Sequence, residues 1–213
     1  MTVCVGNVHG ARRWTAWTGH SRMFSPYPAV RSPCHATRLQ ELALMNAAFT
    51  LHPLTADDFE TVALLGAAIW RKHFIGMISR EQIDYMVSGR YTPEKLSRYL
   101  DAPDRWFRLL RVEGRPVGYC SYALSGQDGE MKLEQLYLLE EMRGRGLGGR
   151  MMDEAEAAAR AMGCAALMLT VNRHNAEAIA VYEKRGFRMR GEVAADIGNG
   201  FVMDDYVMVL RLE

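Results

Sequence analysis

One stretch constrains this chain more than any other: Arg143-Gly-Arg-Gly-Leu-Gly-Gly149, running straight into an alanine-rich segment. From 149 to 162 apolar residues recur at 151, 152, 155, 158, 159 and 162, which share one helical face, and Gly163 supplies a stop. Before the glycines, 131–139 reads as a strand through Leu133, Leu136 and Leu138. The order is therefore strand, glycine turn, helix. The first turn of a helix offers N–H groups with no intrahelical acceptor and the positive end of the dipole. Such a turn holds an anion, and Gly144, Gly146 and Gly148 let the backbone approach one closely. Arg143 and Arg145 add positive charge. The arrangement suits a pyrophosphate; the competing reading is a turn that only connects strand to helix.

Two common phosphate loops do not fit. Gly144-x-Gly146-x-x-Gly149 matches the dinucleotide pattern GxGxxG. That site needs an acid at the end of the following strand, and here the strand ends Thr170-Val171-Asn172. A Walker A loop needs GK[ST], whereas Gly149 is followed by Arg150 and Met151.

The flanking pattern sets the fold class. A strand over 48–51 precedes Thr55-Ala-Asp-Asp58, which resembles a capping box. The helix after it carries Phe59, Val62, Ala63, Ile69 and Trp70 on one face and runs to about Lys72. A second helix over 81–87 is expected to break at Gly89, and a third to start at Thr92-Pro93. Strands at 106–112, 117–124 and 131–139 are joined by short turns, so they form an antiparallel meander. After the glycine turn and its helix, 165–171 is a near-continuous apolar strand. A helix over 175–185 and strands at 187–193 and 201–212 close the chain. This is an α/β (α+β) domain with a mixed sheet.

Composition then excludes several classes. No apolar run approaches the ~20 residues of a membrane helix. A formal charge of +1 argues against a nucleic-acid binder. The four cysteines show no metal spacing, so no metal is expected. Cys120 and Cys164 read as core residues in a reducing, cytoplasmic compartment. The charge is unevenly spread: residues 1–44 have five arginines and one acid, and 45–213 have 21 basic and 24 acidic residues. The first segment shows no sustained period, so we expect a poorly ordered extension over 1–44, with Met45 as the physiological start, and one domain over 45–213.

A second motif makes the resemblance specific. Arg143-x-x-Gly146-x-Gly148 resembles the acetyl-CoA loop of the GNAT N-acetyltransferases. Asn175-Ala-Glu-Ala-Ile-Ala-Val-Tyr182-Glu-Lys-Arg-Gly186-Phe187 is similar to the asparagine–tyrosine–glycine–phenylalanine helix of that family, at the same spacing. The resemblance covers roughly 48–213. It implies an acyl-CoA N-acyltransferase fold with a central, mostly antiparallel sheet flanked by helices.

It also implies roles. Acetyl-CoA is the co-substrate, held by Arg143, Gly144, Arg145, Gly146, Leu147, Gly148 and Gly149, with Asn175 contacting it. Leu136, Tyr137 and Leu138 take the pantetheine arm as an added strand, and the Leu138 N–H serves as oxyanion donor. Tyr182 is the general acid, against the alternative of a tyrosine packed in a core. Glu134 is the general base, acting directly or through water, against the alternative of a solvated carboxylate. His174 is a further candidate base, or a surface histidine. The acceptor is a primary amine on a small molecule. It enters between 70–85 and 197–206, where Trp70, His73, Phe74, Tyr85, Asp204 and Asp205 can line it, against the commoner alternative for each of core packing or a solvated charge. The tail GNGFVMDDYVM is similar to that of members that acetylate polyamines. A protein N-terminal or lysine acetyltransferase and a non-catalytic acyl-CoA sensor are the alternatives, and a homodimer is compatible with each.

Overall fold

The computed structural model describes residues 48–213. The expectations for 1–44 and for Met45 lie outside the described residues. In chain order the elements are β1 (Phe49–Pro53), α1 (Phe59–His73), α2 (Arg80–Arg90), α3 (Pro93–Ser97), β2 (Arg105–Val112), β3 (Arg115–Leu124), β4 (Glu130–Leu138), α4 (Leu147–Ala161), β5 (Ala166–Asn172), α5 (Ala176–Arg185), β6 (Arg188–Gly198) and β7 (Phe201–Arg211). Short 3-10 turns occupy Ala56–Asp58 and Glu140–Met142.

The strands form one sheet in the order β1-β2-β3-β4-β5-β7-β6. Every neighbouring pair is antiparallel except β4 and β5. The meander forms because its connections are short. Glu113 and Gly114 both adopt positive φ in the two-residue turn between β2 and β3, as a tight hairpin requires.

Helices cover both faces. The α1 stripe Val62, Leu65, Ile69 and Trp70 packs with Phe74, Ile83, Tyr91, Leu96, Phe107, Tyr119 and Tyr137. On the opposite face α4 buries Leu147, Met151, Met152, Ala155 and Ala159. Cys120, next in sequence to Tyr119, there points its Sγ at the Met151 carbonyl.

A fault in this sheet positions the site. Ser121 stands opposite Gln135 and Tyr122 opposite Leu133, so Glu134 is an extra residue in β4, a β-bulge. Pairing between β4 and β5 runs only from Glu130 to Leu133. A bulge bends its strand and interrupts the ladder, so β4 leaves β5 at that point. Meanwhile β5 stays on β7 as far as Asn172 opposite Asp205. The Leu139 N–H donates to Val117 O at 2.9 Å. Hydrogen-bonding direction alternates along an antiparallel strand, so the Leu136 and Leu138 amides point to the side that β5 has left.

Two boundaries differ from expectation. Gly89 does not break α2, which continues to Arg90. A glycine inside a helix costs only about 1 kcal/mol, and buried Tyr91 with Pro93 beyond it sets the end instead. Strand β6 runs on to Gly198, with the turn confined to Asn199 and Gly200, both at positive φ. The Thr55–Asp58 capping box forms as expected, ahead of a 3-10 turn that leads into α1.

Gly118 faces Leu138 across the β3–β4 ladder, and a Cβ there would sit 2.6 Å from the Tyr137 carbonyl oxygen. Gly118→Ala is expected to lower stability by ~1–3 kcal/mol through overpacking. Gly126→Ala, where a Cβ meets nothing within 4 Å, should stay within about 0.5 kcal/mol. Equal denaturation midpoints for the two variants would rule out this contact as a constraint on β4.

Candidate active site

The glycine turn leaves β4 through the 3-10 turn and enters α4. Gly144 has φ 74° and Gly146 φ 75°, the left-handed region that disfavours side chains. A Cβ at either would meet nothing within 4 Å, so the demand is conformational. Gly148 and Gly149 lie inside α4 without positive φ. The first bond of α4 is Arg150 N–H to Gly146 O at 3.1 Å. Among the described residues, the amides of 144–149 have no acceptor, so the turn is an array of unsatisfied donors at a positive helix end.

Arg143 points one guanidinium nitrogen, Nη2, at His73 Nδ1, 2.9 Å away. Arg145 holds its Nη1 away from solvent without a hydrogen bond among the described residues. Asn175 caps α5: its side chain accepts from the Ala178 N–H at 3.3 Å. Its Nδ2 lies 3.4 Å from His73 Nε2. His73 therefore sits between the loop arginine and the α5 cap. Burial, reinforced by the Arg143 charge and opposed by Glu140, pulls its imidazole down to about 4. The ring is neutral near pH 7, so Nδ1 can accept from Arg143. The sequence placed His73 in the acceptor path; its observed position joins the phosphate loop to α5 instead.

Leu136, Tyr137 and Leu138 are all buried. The Tyr137 ring packs against Trp70 at 5.7 Å and Tyr119 at 5.4 Å between centroids, which holds the departing strand to the core. Tyr182 is fully buried on α5, with its ring inclined 61° to that of Phe187 and 5.5 Å from it between centroids. The Phe187 N–H bonds to Tyr182 O at 3.0 Å, closing the helix end at Gly186.

Glu134 and Gln135 open onto a cavity of about 410 Å³ that also takes Tyr85, Arg90, Tyr99, Arg105 and Ile197. Consecutive strand residues normally face opposite ways; the bulge brings these two to one cavity. The Tyr99 hydroxyl donates to Glu134 at 2.8 Å. Burial and the Glu134 charge push Tyr99 up to about 12, so it stays a donor. Tyr85 donates to Ile197 O at 2.9 Å, tying α2 to the β6–β7 hairpin.

The remaining acceptor candidates go elsewhere. Trp70 and Phe74 are core residues, because α1 turns them onto the sheet. Asp204 pairs with Arg173 at 2.8 Å, Asp205 is buried on β7, and His174 is an exposed loop residue. Arg90 and Tyr99 escaped the sequence reading. Arg90 ends α2 and Tyr99 lies in the turn after α3; their nearness to β4 depends on contacts distant in sequence, and no local spacing marks them.

Known proteins are similar in both sequence and fold. Residues 63–187 match the acetyltransferase (GNAT) family. An uncharacterized N-acetyltransferase of Mycobacterium tuberculosis is 32% identical over 135 residues, spanning 63% of this chain and 85% of that protein. A spermidine N(1)-acetyltransferase of Thermoplasma acidophilum is 25% identical over 72% of this chain and 94% of its own. The crystal structure of an N-acetyltransferase from Thermoplasma acidophilum, in complex with coenzyme A, superposes with a TM-score of 0.66. It shares 22% identity and covers 77% of this chain and 99% of its own, a likeness of fold. The chain belongs to the GNAT family and is an N-acetyltransferase.

The depressed His73 fixes a pH dependence. Between its usual 6.5 and about 4, the unfolded chain binds a proton that the folded chain does not. That contribution to stability is present above the window and is lost as pH falls through it. Melting temperature should drop over this range, and His73→Asn should flatten the drop. A variant with the wild-type slope would contradict this assignment.

Proposed function

We propose that this acetyltransferase moves the acetyl group of acetyl-CoA directly to a primary amine on a small molecule held beside Glu134. One observation carries the reading. At Glu134 the sheet splits, leaving unpaired strand amides on one edge, while the same residue opens a polar cavity. A thioester arm that pairs with the free edge would end next to an amine in the cavity.

The acetyl-CoA pyrophosphate is assigned to the amides of 144–149, with Arg143 and Arg145 supplying charge, His73 accepting from Arg143 and Asn175 contacting the coenzyme. The likeness to a coenzyme A complex supports this assignment. Leu136 and Leu138 offer the free-edge amides, and the Leu138 N–H is the donor to the oxyanion. Glu134 takes a proton from the incoming ammonium, whose unperturbed pKa is near ~10. The Tyr99 hydrogen bond orients that carboxylate. The free amine attacks the thioester carbonyl, forming C–N; its nitrogen then sheds a second proton to water, which balances the one the thiolate takes up, and C–S breaks. Tyr182 gives its proton to the departing thiolate.

Two relatives named for polyamines favour a narrower, second reading of the acceptor. They are the spermidine enzyme above and a spermine/spermidine N(1)-acetyltransferase of Bacillus subtilis, 26% identical over 54% of this chain. Among the described residues no helix is long and apolar enough to cross a membrane. Among the described residues Cys120 and Cys164 are free and buried, which suits the reducing cytoplasm we propose as the compartment.

Calorimetric titration with acetyl-CoA tests the loop. Gly146→Val should stay folded and lose binding, because a β-branched residue resists φ 75°. Normal binding would displace the pyrophosphate from this turn. Turnover tests the proton carriers. Tyr182→Phe and Glu134→Gln should each lower kcat by about 10²-fold or more, the usual contribution of acid–base catalysis. Acetyl-CoA affinity should barely change. Wild-type kcat in either variant removes that residue from the chemistry.

A further inference from the structure

Within the reading that the Glu134 cavity takes the acceptor, we infer that this acceptor is zwitterionic: a small primary amine that also carries a carboxylate or phosphonate group. Arg90 holds the acid, and Glu134 with Gln135 holds the amine.

Arg90 carries the first half of the argument. It ends α2 and lines the cavity, with its guanidinium 5.2 Å from the centre of the Trp70 ring. Its Nε is shut from solvent and has no hydrogen-bond partner among the described residues. No carboxylate among them pairs with it, and the groups that surround it are the phenols of Tyr91, Tyr99, Tyr119 and Tyr137. Three other partly buried arginines of the fold, away from the phosphate loop, are paired: Arg108 with Glu154, Arg111 with Asp58 and Arg185 with Glu156. A guanidinium drawn from water without a counter-charge is costly, and a bound oxyanion relieves that cost by accepting from its planar fork.

The second half is the opposite wall. Gln135 donates from Nε2 to Ser121 Oγ at 3.0 Å, which leaves its buried Oε1 without a partner among the described residues. Glu134 lies beside it, already oriented by Tyr99. One wall thus presents a carboxylate and an unused carbonyl, which are acceptors suited to an ammonium. The other presents an unused cationic donor. The two demands are met together by one molecule with an amine and an acid.

Net charge separates this acceptor from a polyamine. Arg90, Lys95, Arg98 and Arg105 border the cavity, against the single carboxylate of Glu134. Arg105 is neutralised by Asp104 at 2.9 Å. Lys95 donates to the Gly89 carbonyl but keeps its charge. A chain of several ammonium groups would enter against Arg90, Lys95 and Arg98, while a zwitterion brings the missing counter-charge.

The test uses the full chain, saturating acetyl-CoA and release of the coenzyme thiol. The panel is L-glutamate, 2-aminoethylphosphonate, n-butylamine and spermidine. We expect one of the acid-bearing amines to exceed both others in kcat/KM by at least about tenfold, as a charged hydrogen bond supplies. Which of the two leads separates carboxylate from phosphonate. Arg90→Met should raise KM for that substrate about tenfold more than for butylamine, with kcat little changed, and Arg90→Lys should restore part of the loss. Without any variant, succinate or methylphosphonate should compete with the amine and not with acetyl-CoA. Preference for spermidine or butylamine, or no competition by either acid, overturns the inference and leaves the transferase reading standing. Acetyl-CoA binding with no amine turned over removes both.

Discussion

A backbone amide out of water must have a partner, and this sheet leaves some without one. The extra residue in β4 parts two parallel strands that would otherwise bond along their length. The amides beyond it are buried, and their natural complement is another extended backbone. Most of the surrounding structure serves to hold that gap open. The aromatic cluster of Trp70, Phe74, Tyr119 and Tyr137 fixes the departing strand from one face. On the other, α4 packs after the eight-residue connection 139–146 and begins with unsatisfied amides. Strand β5 cannot follow β4, because β7 holds it in register to its last residue.

The same fault explains why binding and chemistry meet at one place. A regular strand would turn Glu134 and Gln135 to opposite sides of the sheet. The bulge gives both to one cavity and frees the other edge in the same step. His73 accepts from Arg143 of the phosphate loop through Nδ1, and its Nε2 edge lies against the α5 cap at Asn175. Kept neutral by burial and by Arg143, it supports the arginine without adding a positive charge of its own.

Local features of the site were readable in the sequence, and long-range ones were not. The glycine turn and the α4 stripe each depend on neighbours within a turn or two, so spacing exposes them. The meander was legible because its connections are short. By contrast, the bulge arises from a mismatch between Ser121–Tyr122 and Leu133–Gln135, two segments that look regular when read singly. Gly89 was over-read as a breaker because propensity is weak beside tertiary contacts. Trp70 and Phe74 were placed near the acceptor by segment, but the phase of α1 sends them into the core. Glu134 was singled out by its distance from Leu136, while its partner Tyr99 lies 35 residues away in sequence and carried no local sign.

The hairpin of β6 and β7 contributes to the cavity through its tip. There the Tyr85 hydroxyl bonds to Ile197 O, so close that a Cβ at Gly198 would come within 2.5 Å of it. This wall hangs on the outermost strand of the sheet. A loop at a sheet margin can change length at small entropic cost. The hairpin tip can therefore change the room in the cavity while Arg90, Glu134 and Gln135 keep their places, so the size of acceptor admitted is set on a different piece of chain from the charges that hold it.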